Sequence, residues 1–238
     1  MADGIYVSMA GATARERQLE SIADDLANAQ TPGFKSSRPV FKTVLAEQSG
    51  LRAFPAAVGS GTDLRTGASA HTGNPLDVLP EDGHFLAVRT SNNGVNGGVA
   101  YTRDGRLSVD AQGTLRAAGL PVLTSDGQGV QLAPDAKLAI GGNGELLVNG
   151  TQIGRLGQVK LEGMITKQGP SLLVPGQGGK ATEAAGRVQT GAVELGNRTA
   201  LDSMVDLVSA QRHFDASMQA IDAYRKMGDR SSELGKVR

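Results

Sequence analysis

The side chains in this sequence that could carry out chemistry are few and dispersed. Its three histidines, His71, His84 and His213, have no second histidine three or four positions away, the spacing a helix needs to offer two imidazoles to one metal ion. Cysteine is absent, which removes thiolate nucleophiles, Cys-ligated metals and disulfides together. Ser69 lies between Ala68 and Ala70 and lacks the flanking glycines that expose a nucleophile on a strand-to-helix elbow. Gly176, Gly178, Gly179 and Lys180 suggest a phosphate-cradling loop. However, Val174 stands where the first glycine belongs and Ala181 where a hydroxyl should meet Mg²⁺. Adjacent carboxylates such as Asp24-Asp25 and Glu81-Asp82 are ordinary in a chain with 24 acids, and nothing divides them into an acid and a base. The expectation is a chain that is not an enzyme, with no cofactor and no metal.

The elements left to position are apolar. From Thr199 to about Gly228, Ala200, Leu207, Phe214 and Ile221 recur every seven residues, with Met204, Gln211 and Met218 between them, which predicts a helix with one largely apolar face. Thr199 with Asp202 three positions on is a capping pair for its start. At the other end Ile5, Met9, Ala12, Leu19, Ile22, Ala23 and Leu26 fall on a similar stripe, in a helix expected from about Gly4 to Ala29. It should stop at Thr31-Pro32-Gly33, because the residue before proline is pushed out of the α region and glycine supplies the turn. Phe34 follows at once and is expected to anchor the chain back onto the helix end.

Between these ends the pattern changes. Residues 35–73 read as an extended connector with only Val40 to Leu45 as regular structure, and 74–174 as a β domain. Strands are expected at Phe85 to Val88, Arg106 to Asp110, Leu138 to Ile140, Glu145 to Val148 and Val159 to Leu161. Asp82-Gly83, Asn93-Gly94, Asn96-Gly97, Asp104-Gly105, Asp126-Gly127, Asn143-Gly144 and Asn149-Gly150 are dipeptides that favour tight hairpins, since both residues tolerate positive φ. A second connector covers 175–198. The fold expected is therefore α+β: paired, coiled-coil-like terminal helices, over 1–34 and 199–238, with a central, mainly antiparallel β domain. Eight or so aliphatic side chains per end do not offset the entropy of ordering some thirty residues, so neither end should be stable by itself.

Composition sets outer bounds. A formal net charge of zero gives the chain no general attraction to nucleic acid or to an anionic membrane. No apolar run reaches 18 residues, and Asp3, Arg15, Glu16, Arg17 and Glu20 interrupt the N-terminal pattern, so neither membrane insertion nor a cleaved secretory signal is expected. With 33 glycines and 9 prolines in 238 residues, the chain exceeds average usage but falls short of a low-complexity signature, which indicates many turns.

Four separated blocks resemble one family in the same order. Ile22-Ala23-Asp24-Asp25-Leu26-Ala27-Asn28-Ala29-Gln30-Thr31-Pro32-Gly33-Phe34-Lys35 is similar to the N-terminal signature of the bacterial flagellar rod and hook proteins. Thr72 to Val78, Tyr101-Thr102-Arg103-Asp104-Gly105, and Gly113-Thr114-Leu115 with Gly119 to Leu123 resemble the family's central β region. Gly191-Ala192-Val193-Glu194 and Met204 through Phe214 resemble its C-terminal helix. Asp24-Asp25 replaces the asparagines common before Leu26, and Gly196-Asn197-Arg198 stands where Ser-Asn-Val is usual. The modest length is most like the proximal rod type.

The resemblance implies a structural subunit that assembles helically and transmits torque across the periplasm, partnered by itself, by other rod proteins and by the flagellar type III export apparatus. It implies terminal helices forming an inner tube, with subunit contacts at Ile5, Met9, Leu19, Ile22, Leu26, Asn28, Pro32, Gly33, Phe34, Met204, Leu207, Gln211, Phe214, Met218 and Ile221. A distal rod protein of the same family, or a secreted oligomeric β-domain binding module, are the alternatives.

Overall fold

The computed structural model describes residues 2–45, 53–90, 98–134 and 136–235, without the side chains of 2–7, 39–60, 229 and 231–235. The chain divides into two compact units.

The first unit holds helix α1 (Ala2–Ala27), strands β1 (Ser37–Leu45) and β2 (Ala53–Thr62), which pair as a two-stranded sheet, and helix α2 (Ala200–Gly235). α1 and α2 pack along each other, and β1 packs on α1, where the Ser21 hydroxyl donates to the Ser37 carbonyl at 3.0 Å. α2 is 36 residues long and opens at Ala200, which leaves Thr199 at the N-cap position and Asp202 in the first turn, where a carboxylate complements the helix dipole. Neither helix stands alone: each supplies the other's packing surface.

The second unit contains the remaining strands. β5 (His84–Arg89) lies inside a six-stranded antiparallel sheet, flanked by β6 (Val99–Thr102) and β13 (Gln158–Glu162), with β14 (Ile165–Lys167), β15 (Leu172–Pro175) and β16 (Lys180–Glu183) completing it. Phe85 pairs with Val159 and Leu86 with Gln158, so alternate side chains leave opposite faces of the sheet. Leu86 and Val88 enter the main core with Val78, Leu115, Val122 and Leu146, while Phe85 joins Val159, Leu161, Ile165 and Leu173 in a second cluster. Around this sheet lie smaller ones. β4 (Val78–Pro80) pairs with β17 (Val188–Thr190), and β3 (Ser69–His71) with β18 (Ala192–Glu194). β7 (Ser108–Val109), β8 (Leu115–Ala117) and β9 (Leu120–Pro121) form one three-stranded sheet, β10 (Leu138–Ile140), β11 (Glu145–Val148) and β12 (Thr151–Arg155) another. The β11–β12 hairpin turns at Asn149-Gly150, both at positive φ (50° and 85°), as a type I′ turn requires.

This arrangement corrects the expected fold class. The chain is mostly β with terminal helices: among the described residues the strands are divided among six sheets, and strand pairing begins at Ser37 and continues to Glu194, in place of the expected α+β class. The reason is local. From β3 to β18 the strands are two to six residues long, and closely spaced turns re-aim the chain, so several strands pair outside the six-stranded sheet. Asn93-Gly94 and Asn96-Gly97 fall outside the described residues.

Candidate functional site

Two features stand out, one in each unit. In the β unit, three of the sequence blocks meet at one carboxylate. The chain after α1 turns at Thr31, whose amide donates to the Asn28 carbonyl at 2.9 Å, and the Phe34 amide donates back to Thr31 at 3.2 Å. Gly33 has φ of 70°, and a Cβ there would overlap the backbone of Asp104, so both conformation and space demand glycine. The Gly33 amide donates to the Glu194 carbonyl at 2.8 Å. Phe34 is fully buried, with the Lys167 ammonium 4.2 Å from its ring centroid, a cation–π distance.

Next to it, the Lys35 ammonium donates to Glu194 Oε1 and to the Arg65 carbonyl, both at 2.6 Å. The Gly67 amide donates to the same carboxylate oxygen at 2.9 Å, and the Arg103 guanidinium donates to Glu194 Oε2. Arg103 is tied down independently: it also donates to the carbonyls of Glu81 (2.8 Å), His84 (2.7 Å) and Pro80 (3.2 Å) and lies over the Phe85 ring. Lys35, Arg103 and Glu194 are each at most 1% exposed, so two cations share one carboxylate out of contact with water. Burial pushes the Lys35 pKa below its ordinary value, opposed by the charge and hydrogen bond of Glu194. Asn197 extends the corner. Its side chain accepts from the Ser36 amide and donates to the Asp63 carbonyl, both at 2.8 Å.

In the helical unit, the withdrawn side of α2 carries Ser203, Ala210 and Ile221, all buried, with Leu207, Phe214 and Ser217 half-buried between them. Leu201, Val205 and Val208 sit roughly 180° around the helix at 100° per residue and are 71%, 62% and 50% exposed. With Met204, Ser209, Arg212 and His213, Val205 and Val208 line a shallow concavity. On the side of α2 turned away from its packing face, the first turns, Leu201 to Val208, are thus apolar and open.

The proposed contact residues divide accordingly. Pro32, Gly33 and Phe34 come together in the corner, with Asn28 half-buried beside them. Ile22 and Ile221 are buried; Leu19, Leu26, Leu207 and Phe214 are half-buried; Met9, Met204, Gln211 and Met218 are exposed. Ile5 lies outside the described side chains. Sequence reasoning placed Met204, Gln211 and Met218 on the same seam as Leu207, whereas the structure puts Ser203, Ala210 and Ser217 there. Small side chains let helices approach closely, which a hydrophobicity pattern does not record. It also passed over Leu201, Val205 and Val208, although their i, i+4, i+7 spacing marks a second stripe. Lys35, Arg103 and Glu194 were inside the recognised blocks, but nothing in a single sequence pairs residues so far apart.

The histidines occupy separate elements: His71 on β3, His84 on β5 with Nδ1 3.2 Å from the Asp82 carbonyl, and His213 on α2. Gly176 to Lys180 is the turn between β15 and β16, with no helix N-terminus behind it to receive a phosphate. A cavity of about 440 Å³ in the β unit is lined by Ala87, Val159 and Tyr101 and rimmed by Arg155 and Glu183. Burial, aided by Glu183, raises the Tyr101 pKa, which keeps the phenol protonated.

Comparison with known proteins bears on these features directly. The chain is 30% identical to the flagellar basal-body rod protein FlgF of Rhizobium meliloti strain 1021, over 90% of each chain. The chain belongs to the flagellar basal-body rod protein family. It is 29% identical to FlgF of Escherichia coli strain K12 over 98% of both chains, and 26% identical to FlgG of Bacillus subtilis strain 168 over 93% of this chain and 94% of that one. Residues 189–234 match the C-terminal region that defines the flagellar basal body rod FlgEFG proteins. That region contains Glu194, Asn197 and most of α2; Lys35 and Arg103 lie outside it. As a member, the chain is a structural rod subunit similar to FlgF.

Proposed function

We propose that this chain is a non-enzymatic, load-bearing subunit of the proximal rod that assembles helically with itself and with other rod proteins and transmits torque across the periplasm. α1 and α2 build the inner tube of that assembly. The observation that carries this reading is the exposed apolar stripe of Leu201, Val205 and Val208, on the side of α2 opposite its packing face. A contiguous apolar patch of this kind marks a contact surface. Contacts between two different surfaces of like subunits generate a helical filament when the rotation does not close. The fifteen residues from Ile5 to Ile221 named above take part in, or support, those contacts. Delivery uses the flagellar type III export apparatus, and the place of action is the basal body. Among the described residues no helix is long and apolar enough to cross a membrane, which suits a subunit held by its neighbours and not by lipid.

The test is a full-length variant with Leu201→Asp, Val205→Asp and Val208→Asp, expressed in a strain lacking its own copy. It should keep the native circular dichroism spectrum of the purified chain, yet give non-motile cells with incomplete rods. Motile cells with finished rods would refute the reading. Rescue by the unaltered chain of a strain lacking FlgF, and failure to rescue one lacking FlgG, separates the proximal role from the distal one.

A further inference from the structure

The corner around Glu194 has an order of closure built into its charges. Arg103 is held by three carbonyls of its own, from Pro80, Glu81 and His84, at the end of β4, the start of β5 and the turn between them. It is therefore a buried cation already in place once that part of the β unit has folded. Lys35 has no comparable support: apart from the Arg65 carbonyl, its ammonium relies on Glu194. Glu194 ends β18, far along the chain, and among the described residues it is the carboxylate that both buried cations contact.

We propose that Glu194 gates the N-terminal corner: the segment 28–36 closes only on a chain whose C-terminal strand β18 is already seated on Arg103. The electrostatic reason is direct. Without Glu194, closing the corner would bury the Lys35 ammonium beside the Arg103 guanidinium with no compensating carboxylate, and an unpaired buried charge is among the costliest defects a fold can hold. With Glu194 seated, Lys35 meets an acceptor already aligned by Gly67 and Arg103. The neighbouring backbone closes in step, since Gly33 donates to the Glu194 carbonyl and Ser36 to Asn197. Asp63 also lies close enough to influence Lys35, but it is engaged by Arg65 at 2.7 Å. The device makes the two ends of the chain interdependent: the N-terminal corner is a checkpoint on the completion of the C-terminal one.

Amide hydrogen exchange on the full chain tests this. In Glu194→Gln, residues 28–36 should exchange at least ten times faster than in the native chain, while Leu86 and Val88 on β5 keep their protection. In Lys35→Met/Glu194→Gln, where no second cation needs a partner, protection of 28–36 should return to within about threefold of native. A role limited to lost hydrogen bonds would not be rescued by the second substitution. Native-like protection of 28–36 in Glu194→Gln overturns the proposal, and so does a double variant as open as the single one. If Glu194→Gln fails to fold at all, the double variant still decides: it must fold with 28–36 protected, and its failure to do so sinks the idea.

Discussion

In the β unit, Phe85, Leu86, Val88, Leu115 and Leu146 are at most 1% exposed, whereas α2 in the helical unit leaves Leu201, Met204, Val205 and Val208 half exposed or more. The β unit also brings its charges inside and matches them, with Lys35, Arg103 and Glu194 sharing hydrogen bonds. The helical unit withdraws small residues instead, among them Ala12, Ala14, Ser203 and Ala210. The β unit buries most of its large apolar side chains, leaving Val109, Ile153 and Met164 exposed, whereas the helical unit leaves a run of them open along α2. Under the proposed assembly the difference has a use: a packed core keeps its shape under load, while an open helix face gives neighbouring subunits something to bind.

Breaking the self-sufficient side should cost most. Leu86→Ala removes a fully buried side chain from the main core and should destabilise the purified chain by about 2–5 kcal/mol, read from urea unfolding. A change below about 0.5 kcal/mol would mean that β5 is not the keystone of that unit.

The charged corner gives a sharper contrast. Because burial lowers the Lys35 pKa from its ordinary 10.5, the unfolded chain binds more protons than the folded one between the two values. Stability should therefore rise with pH as it approaches 10.5, with a slope of at most about 1.4 kcal/mol per pH unit. Glu194, Arg103 and Asp63 are the charges that set this window, and Tyr101, whose pKa is raised, acts in the opposite direction only above about 10. Unfolding curves taken as the pH climbs towards 10.5 should show the rise in the native chain and not in Lys35→Met. A native curve that is flat, or falls, contradicts the assignment.

The smallest effect probes the helical side. Ser203 is fully buried, and among the described residues its hydroxyl has no hydrogen-bond partner. Ser203→Ala removes an unsatisfied polar group and favours helix, so it should stabilise the chain by about 1 kcal/mol in thermal unfolding. Destabilisation would show that the hydroxyl serves a partner in the folded chain.

How much was legible beforehand depended on distance along the chain. The heptad spacing of Leu207, Phe214 and Ile221 and the stop at Thr31-Pro32-Gly33 are local signals, and the structure shows a helix and a chain turn at those places. Asn149-Gly150 announced its hairpin because positive φ at two successive residues is a property of those residues themselves. Membership in the flagellar rod family was readable from blocks of contiguous residues. The division of the described strands among six sheets was not, since strand partners are chosen by non-local packing and the sequence pattern records only alternation.

The sequence by itself determined the helical ends, the turns and the family, because backbone preference and side-chain periodicity act between near neighbours. Only the tertiary structure decided that Lys35, Arg103 and Glu194 form one buried cluster. Residue types so far apart carry no mark of each other until the fold removes the water between them. The same holds for α2: its sequence offered two apolar stripes, and packing within the unit settled which was withdrawn and which was left open.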